Sequence, residues 1–377
     1  MFKSRHRGIR RLRPVLAVGA GLLLVGVAGC SSSSSSSETT APPASSAAAS
    51  SESAAPESSA PADLPAVPAK RIAYVEIFLQ APIEMRINNA FVESAQAVGW
   101  EVTTTDVQAD PQKANDAINS AILQAYDAIV LGSVEPALVQ ESLKKAQEAG
   151  IPVIAMGGES RHDLDALLSA VYTEDDTSLS EPLAAKLCDE LEPGSEIGLL
   201  RFDLFYSGQL RGDTIKAGAE ACGLKVVAEP EAEQTLADSQ AKTAAIINQF
   251  PNLAAMVPVY DTFTAGTVQA IKAAKKQDQI DVYSYYADAI NNPLMRDNEN
   301  VVALADCDCV IAAPFTVNAL LDLWMNSTPL APTLPDGTIT YGVVTRDNIP
   351  PEGQDGPVTV ESVLTPFVEQ WRTKYAF

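Results

Sequence analysis

From Arg71 onward, short branched-apolar runs alternate with amphipathic stretches at a regular beat, and that beat limits the fold more than any other feature of the chain. Strands that are apolar on both sides need cover on both faces, so the pattern reads as repeated βαβ units that build parallel sheet between helical layers. Residues 72–78 read as a strand, 83–98 as a helix stopped by Gly99, and 102–105 as the next strand. Asp110-Pro111 caps a helix through Ala125, and the strand 128–132 follows. Glu135-Pro136 opens another helix, ended by Gly150, and 151–156 is a fourth, wholly apolar strand. A second series repeats the scheme: helix 178–191, strand 196–201, helix 209–221, strand 225–228, helix 237–250, strand 253–258, helix 262–274 and strand 281–285. Two comparable series imply an α/β fold of two Rossmann-like lobes with a cleft between them. Open parallel sheets bind ligands beyond the carboxyl ends of their strands, so the residues that follow each strand are the candidate site.

The N-terminus is an address. Lys3, Arg5, Arg7, Arg10, Arg11 and Arg13 precede an apolar stretch, Val15 to Val27, that is too short to span a bilayer comfortably. Val27-Ala28-Gly29-Cys30, directly ahead of seven serines, resembles the lipobox of bacterial lipoproteins, whose cysteine takes a diacylglycerol and becomes the new N-terminus. Cys30 is therefore the expected lipidation site and residues 1–29 the leader; Arg10-Arg11 leaves Sec and Tat export both open. Residues 30–69 are almost all Ser, Ala, Pro and Glu, which cannot offset their ordering entropy, and read as a disordered tether with a reach on the order of 35 Å.

Loss of the leader would remove six Lys/Arg and no acid, taking the formal charge from −22 to −28. Nucleic acid and anionic lipid head groups are therefore unsuitable partners for the folded body. Only His162 remains, in the polar segment Glu159-Ser160-Arg161-His162-Asp163, which reads as a solvated loop. Gly157-Gly158 lacks the spacing of a dinucleotide loop, and Ser133, Ser207 and Ser284 have no Gly-x-Ser-x-Gly elbow around them. With so little acid–base equipment, an enzyme is not expected, and neither is a cofactor. Four cysteines follow Cys30. Cys188 and Cys222 sit near the ends of helices flanking one strand, where a staple fits; Cys307 and Cys309 either bridge locally or act as ligands with Asp306 and Asp308, though Cys-x-Cys alone is too few ligands for a closed zinc site, and no metal is expected.

Ile72-Ala73-Tyr74-Val75, then Pro82, then a helix with Ala90-Phe91 and Ala95, resembles the first unit of the type I periplasmic sugar-binding proteins, the family of the ribose-binding protein. Ala149-Gly150-Ile151-Pro152-Val153-Ile154 resembles that family's fourth strand, and Arg211-Gly212 and Val259-Tyr260-Asp261 its second lobe, over residues 71–348 in all. The resemblance implies a periplasmic-binding-protein-like I fold whose lobes, joined by three crossovers, close over a small solute and dock on an ABC permease. It places the crossovers near 173–175, 305–306 and 337–340, with the first lobe at 70–174 and 307–337 and the second at 175–306 and 338–377.

It also assigns pocket positions. After the first strand stand Gln80, Ile83 and Glu84, although a carboxylate in a first helical turn also complements the macrodipole without any ligand. Gly157 and Gly158 replace the family's sugar-gripping Asp-Arg pair, which either lets backbone approach a ligand or leaves room for a bulkier one. The second lobe offers Tyr206, Gln209, Arg211, Tyr260, Asp261, Tyr285 and Tyr286, with the tyrosines after strands read as pocket rather than core, and Asp306 stands where the family has a glutamine. Acids and rings with one arginine suit a neutral polyhydroxylated solute or a cationic one and disfavour an anion. The expectation is a monomeric, membrane-anchored, extracytoplasmic receptor that delivers a sugar or sugar-like solute to an ABC importer. The alternatives are a receptor for a non-sugar aromatic or cationic solute, a ligand-sensing protein that docks on a signalling partner, and, less favoured, an exported hydrolase.

Overall fold

The computed structural model describes residues 64–297 and 300–377; the leader, Cys30 and the tether up to residue 63 lie outside them. The first sheet holds β1 (Arg71–Glu76), β2 (Glu101–Asp106), β3 (Ala128–Gly132), β4 (Val153–Gly157) and β5 (Ala170–Thr173), joined by α1 (Pro82–Gln96), α2 (Pro111–Leu123) and α3 (Gln140–Glu148). Its order is β2-β1-β3-β4-β5, every pair parallel. β3 and β4 are buried along their whole length, as Ala-Ile-Val-Leu-Gly and Val-Ile-Ala-Met-Gly require when helices cover both faces. Thr-rich β2 alternates between half-buried and exposed and forms the edge. Asp110 caps α2 by accepting from the Gln112 and Lys113 amides, and Gly150 (φ 70°) supplies the left-handed turn after α3.

Beyond the first crossover come α4 (Asp176–Glu190), β6 (Glu196–Leu200), α5 (Tyr206–Ala221), β7 (Lys225–Ala228), α6 (Leu236–Gln249), β8 (Leu253–Pro258), α7 (Asp261–Ala273), β9 (Asp281–Tyr285), α8 (Asn291–Arg296) and β10 (Val301–Cys307). The chain then returns to the first lobe as α9 (Ala312–Asn326), crosses again into β11 (Tyr341–Val344), and ends in α10 (Val360–Lys374). The second sheet runs β11-β10-β9-β8-β6-β7, parallel except for the antiparallel β10–β11 pair. The crossovers lie side by side: the Asp175 amide donates to the Tyr341 hydroxyl (2.7 Å) and the Asp308 amide to the Thr340 carbonyl (3.0 Å).

Three expectations change. The helix from Glu135 to Gly150 is a 3-10 turn, Pro136–Leu138, followed by α3, and the break falls at Val139, whose side chain is buried and whose backbone (φ −127°, ψ 18°) leaves the helical region. Segment 338–377 does not return whole to the second lobe. β11 does, but α10 turns its face of Val360, Leu364, Phe367 and Trp371 to the core, and the Trp371 indole N–H donates to Asn318 of α9 at 3.0 Å. That apolar face needs cover, and α9 supplies it. Finally, Cys307 and Cys309 do not bridge; both are free and buried. Their sulfurs are engaged apart: the Cys307 thiol donates to Glu174 Oε2 (3.1 Å), while Cys309 Sγ faces Arg86 Nη2 (3.6 Å).

Cys188 of α4 and Cys222 after α5 form a disulfide across neighbouring helices, with Cα atoms 5.9 Å apart and a sequence separation of 34. A loop of that length restricts the unfolded chain by about 4 kcal/mol. The Cys188→Ser/Cys222→Ser double variant should lose about that much unfolding free energy in urea titrations, with its fold and solute affinity retained.

Candidate functional site

The carboxyl ends of the two sheets face one another across an enclosed cavity of about 30 Å³, room for about two water molecules. The first lobe lines it with Phe78, Ile83, Glu84, Ser133, Glu135 and Gly158, and the second with Phe205, Ser207, Gln234, Arg211 and Tyr260. Bonds span the lobes around it, so a solute larger than water fits only if they part.

Arg211 organises the second lobe's side. Its guanidinium is 2 % exposed, with Nε against Asp176 Oδ1 (2.5 Å) and Nη2 bonded to Glu174 Oε1 (3.1 Å) and the Tyr286 hydroxyl (2.7 Å). The rings of Tyr260, Tyr285 and Tyr286 surround it at 4.7, 5.1 and 5.1 Å. Tyr286 is held at φ 58°, a costly conformation for a bulky residue, by bonds of its hydroxyl to Arg211 and Glu174. Glu174 and Asp176 flank the first crossover, so this hub ties the hinge to the second lobe.

The first lobe's side is acidic. Ser133, after β3, donates to Glu84 Oε1 (2.7 Å) and accepts the Gly158 amide (2.9 Å). Glu135 is 7 % exposed; its Oε1 accepts the Tyr206 amide across the cleft (2.9 Å), and its Oε2 has no partner. At the rim, Arg161 reaches over to Gln209 (2.9 Å) and lies on the Tyr206 ring. Burial pushes the Glu84 carboxyl up to about 7, Ser133 pulling the other way and Glu174 and Asp261 adding to the rise. Burial also raises Glu76, beside Glu84, and Asp288, beside Asp261, and the neighbouring carboxyl group of each pair adds to the rise.

A raised carboxyl pKa in the folded state stabilises the fold below its unfolded value and loses that contribution as pH rises through the folded value. For Glu84 the window runs from about 4.5 to about 7. Unfolding free energy should therefore fall between pH 5 and pH 8, and Glu84→Gln should flatten that slope; an unchanged slope in urea titrations would remove Glu84 as a source.

Ile83, Glu84, Gly158, Arg211 and Tyr260 of the expected positions reach the cavity wall. Gly157 (φ 88°) stands behind it, where a Cβ would lie 2.3 Å from Ser133 Oγ, and a Cβ on Gly158 would lie 3.3 Å from Ser207. The glycines make room for a serine and for the opposite lobe. Asp261 is buried after β8, beside the wall, and Tyr206 and Gln209 sit at the rim. Three expectations fail here. Gln80 is exposed. Tyr285 and Tyr286 pack around Arg211 instead of lining the cavity, with the Tyr285 hydroxyl bonded to Ser180 (2.8 Å), because the guanidinium draws both rings inward. Asp306 pairs with Arg86 of α1 (3.0 Å) and accepts the Ala287 amide (2.6 Å), which makes it a buried strut between the lobes. Glu174, Cys307 and Cys309 bring ligand atoms within 4.8 Å of one another, but Arg211 on Glu174 and Arg86 on Cys309 already set positive charge against that cluster. Phe205, which lies just past a strand beside Tyr206 and Gln209, also lines the cavity, whereas Ser133, Glu135 and Ser207 went unforeseen; Ser133 and Glu135 follow β3, so the strand-end rule, applied to that strand, would have named them.

The periplasmic binding protein domain family matches residues 72–323. The D-ribose/D-allose-binding protein of Pseudomonas aeruginosa is 25% identical over 218 residues, covering 56% of this chain and 67% of that protein. Among solved structures, the 5-methylthioribose transporter solute-binding protein of Thermotoga lettingae (TM-score 0.66, 20% identity) covers 82% of this chain and 99% of its own. A Bacillus halodurans solute-binding protein with bound myo-inositol (TM-score 0.66, 19% identity) covers 81% and 98%. At these identities the structures speak to the fold: two α/β lobes around a cleft. The family and these relatives are binding proteins, not enzymes.

Proposed function

The chain belongs to the periplasmic binding protein family, and we propose that it is the extracytoplasmic receptor of an ABC importer, anchored through a lipid on Cys30 and delivering a small sugar-like solute. The observation that carries this reading is the enclosed cavity between the carboxyl ends of two parallel sheets, walled by Glu84, Arg211 and Tyr260. The Tyr260 ring offers an apolar face with a hydroxyl that already bonds Ser207 (2.7 Å), and the acids offer acceptors for hydroxyl groups. A relative named for ribose and allose supports a sugar-like solute, for which the lobes must part wider than the water-sized cavity now between them. A lipid on Cys30 would hold the receptor near its permease, which raises effective concentration.

A solute bound only by the folded protein adds about 2.7 kcal/mol of stability at a hundredfold excess over its Kd. At least one compound from a panel of pentoses, hexoses, deoxy and amino sugars and polyols should raise the melting temperature. If none does while the protein is folded, the sugar-like form of the reading falls.

A further inference from the structure

We propose that the solute is a cation, with a protonated amine seated between Glu84 and Glu135 of the first lobe and the Phe205 ring of the second. The inference rests on the receptor reading above and narrows it to a chemical class.

The charges around the cavity do not balance. Glu84, Glu135 and Glu159 line it from the first lobe, and the arginine that lines it, Arg211, is already committed to Asp176 and Glu174. Glu159 has partners of its own in the Asp176 amide (3.0 Å) and exposed His162 (3.0 Å). Glu84 and Glu135 are half-satisfied: Ser133 and the Tyr206 amide hold one oxygen of each, while the other, out of reach of solvent, has no hydrogen-bond partner, with the Glu76 carboxyl beside Glu84 adding a like charge rather than a counter-charge. Around Glu84 stand further acids, Glu76 on its own lobe, Glu174 at the hinge and Asp261 on the facing lobe. Closure thus brings carboxylates of both lobes together and takes them out of water, which is costly for each unpaired charge and for each like-charge pair. A hydroxyl of a neutral sugar donates one hydrogen bond but leaves the charge. An ammonium offers up to three donors and cancels the charge, and the Phe78 and Phe205 rings in the same wall favour a cation, as the Tyr260 ring already does for Arg211. An anion would meet the same acids as repulsion. The formal charge of −22 for the whole chain also draws cations toward the cleft.

The test uses the purified full chain and a deproteinised yeast extract passed over a strong cation exchanger at pH 7. Each fraction is scored for a rise in the melting temperature. The stabilising solute is expected in the retained, salt-eluted fraction, and Glu135→Gln should weaken the response to that fraction about tenfold in concentration. Activity in the flow-through, or an undiminished response of Glu135→Gln, would overturn the inference while leaving the receptor reading standing. No active fraction in this extract or in a plant hydrolysate treated the same way would overturn both.

Discussion

Arg211→Ala should destabilise the protein by about 3–5 kcal/mol, because it strips the counter-charge from two carboxylates that the fold has already buried. Asp176 and Glu174 are both almost wholly inaccessible, and between them they hold the Nε and Nη2 edges of the guanidinium. Three tyrosine rings also close on that plane, so the alanine leaves a cavity as well as unpaired charge. Arg211→Lys should recover only part of the loss, since an ammonium cannot address Asp176, Glu174 and Tyr286 in one plane. The deficit should have a pH signature. Burial already lifts Asp176 to about 6 with Arg211 pulling it down; without the arginine its folded pKa rises further, and an acid so raised costs stability as pH climbs through that value. Urea unfolding should therefore show a larger deficit at pH 8 than at pH 5. An equal deficit at both would mean that lost packing, not lost charge, dominates.

The second large effect is on binding. Gly158→Trp should lower solute affinity about a thousandfold, near 4 kcal/mol, without unfolding either lobe. Even a bare Cβ at this position would touch Ser207 of the opposite lobe at 3.3 Å, so an indole there wedges the closed cleft apart. The wedge also breaks the Glu135–Tyr206 and Arg161–Gln209 bonds that span the lobes. Small-angle scattering should show a larger radius of gyration that solute no longer reduces. Near-native affinity in this variant would mean that closure contributes little to binding.

The fold was legible because its signals are local. β3 and β4 declare themselves by being apolar throughout, Asp110-Pro111 by the chemistry of a cap, and Gly150 by the left-handed turn it supplies. Of the candidate site, Gly158 and Tyr260 follow strands and Glu84 and Arg211 lie early in the helices after them, and all four line the cavity. What spacing did not carry was direction and partnership. Tyr285 and Tyr286 follow a strand as pocket residues do, yet their orientation is set by Arg211 and by Glu174, which lies 112 residues from Tyr286. Asp306 turned out to be a strut for the same reason, since its partner Arg86 is 220 residues away. The Cys307-Asp308-Cys309 spacing said nothing of Glu174, which claims the first thiol. Burial then raises that thiol's pKa and keeps it a donor.

The central claim is that two lobes close over one small solute, and native mass spectrometry of protein purified from its own cells tests it most directly. The account predicts an excess mass equal to a single small molecule per chain, released on gentle denaturation and missing from Gly158→Trp. A bare-chain mass in the unaltered protein, unchanged after incubation with the fraction that most raises its melting temperature, would contradict it.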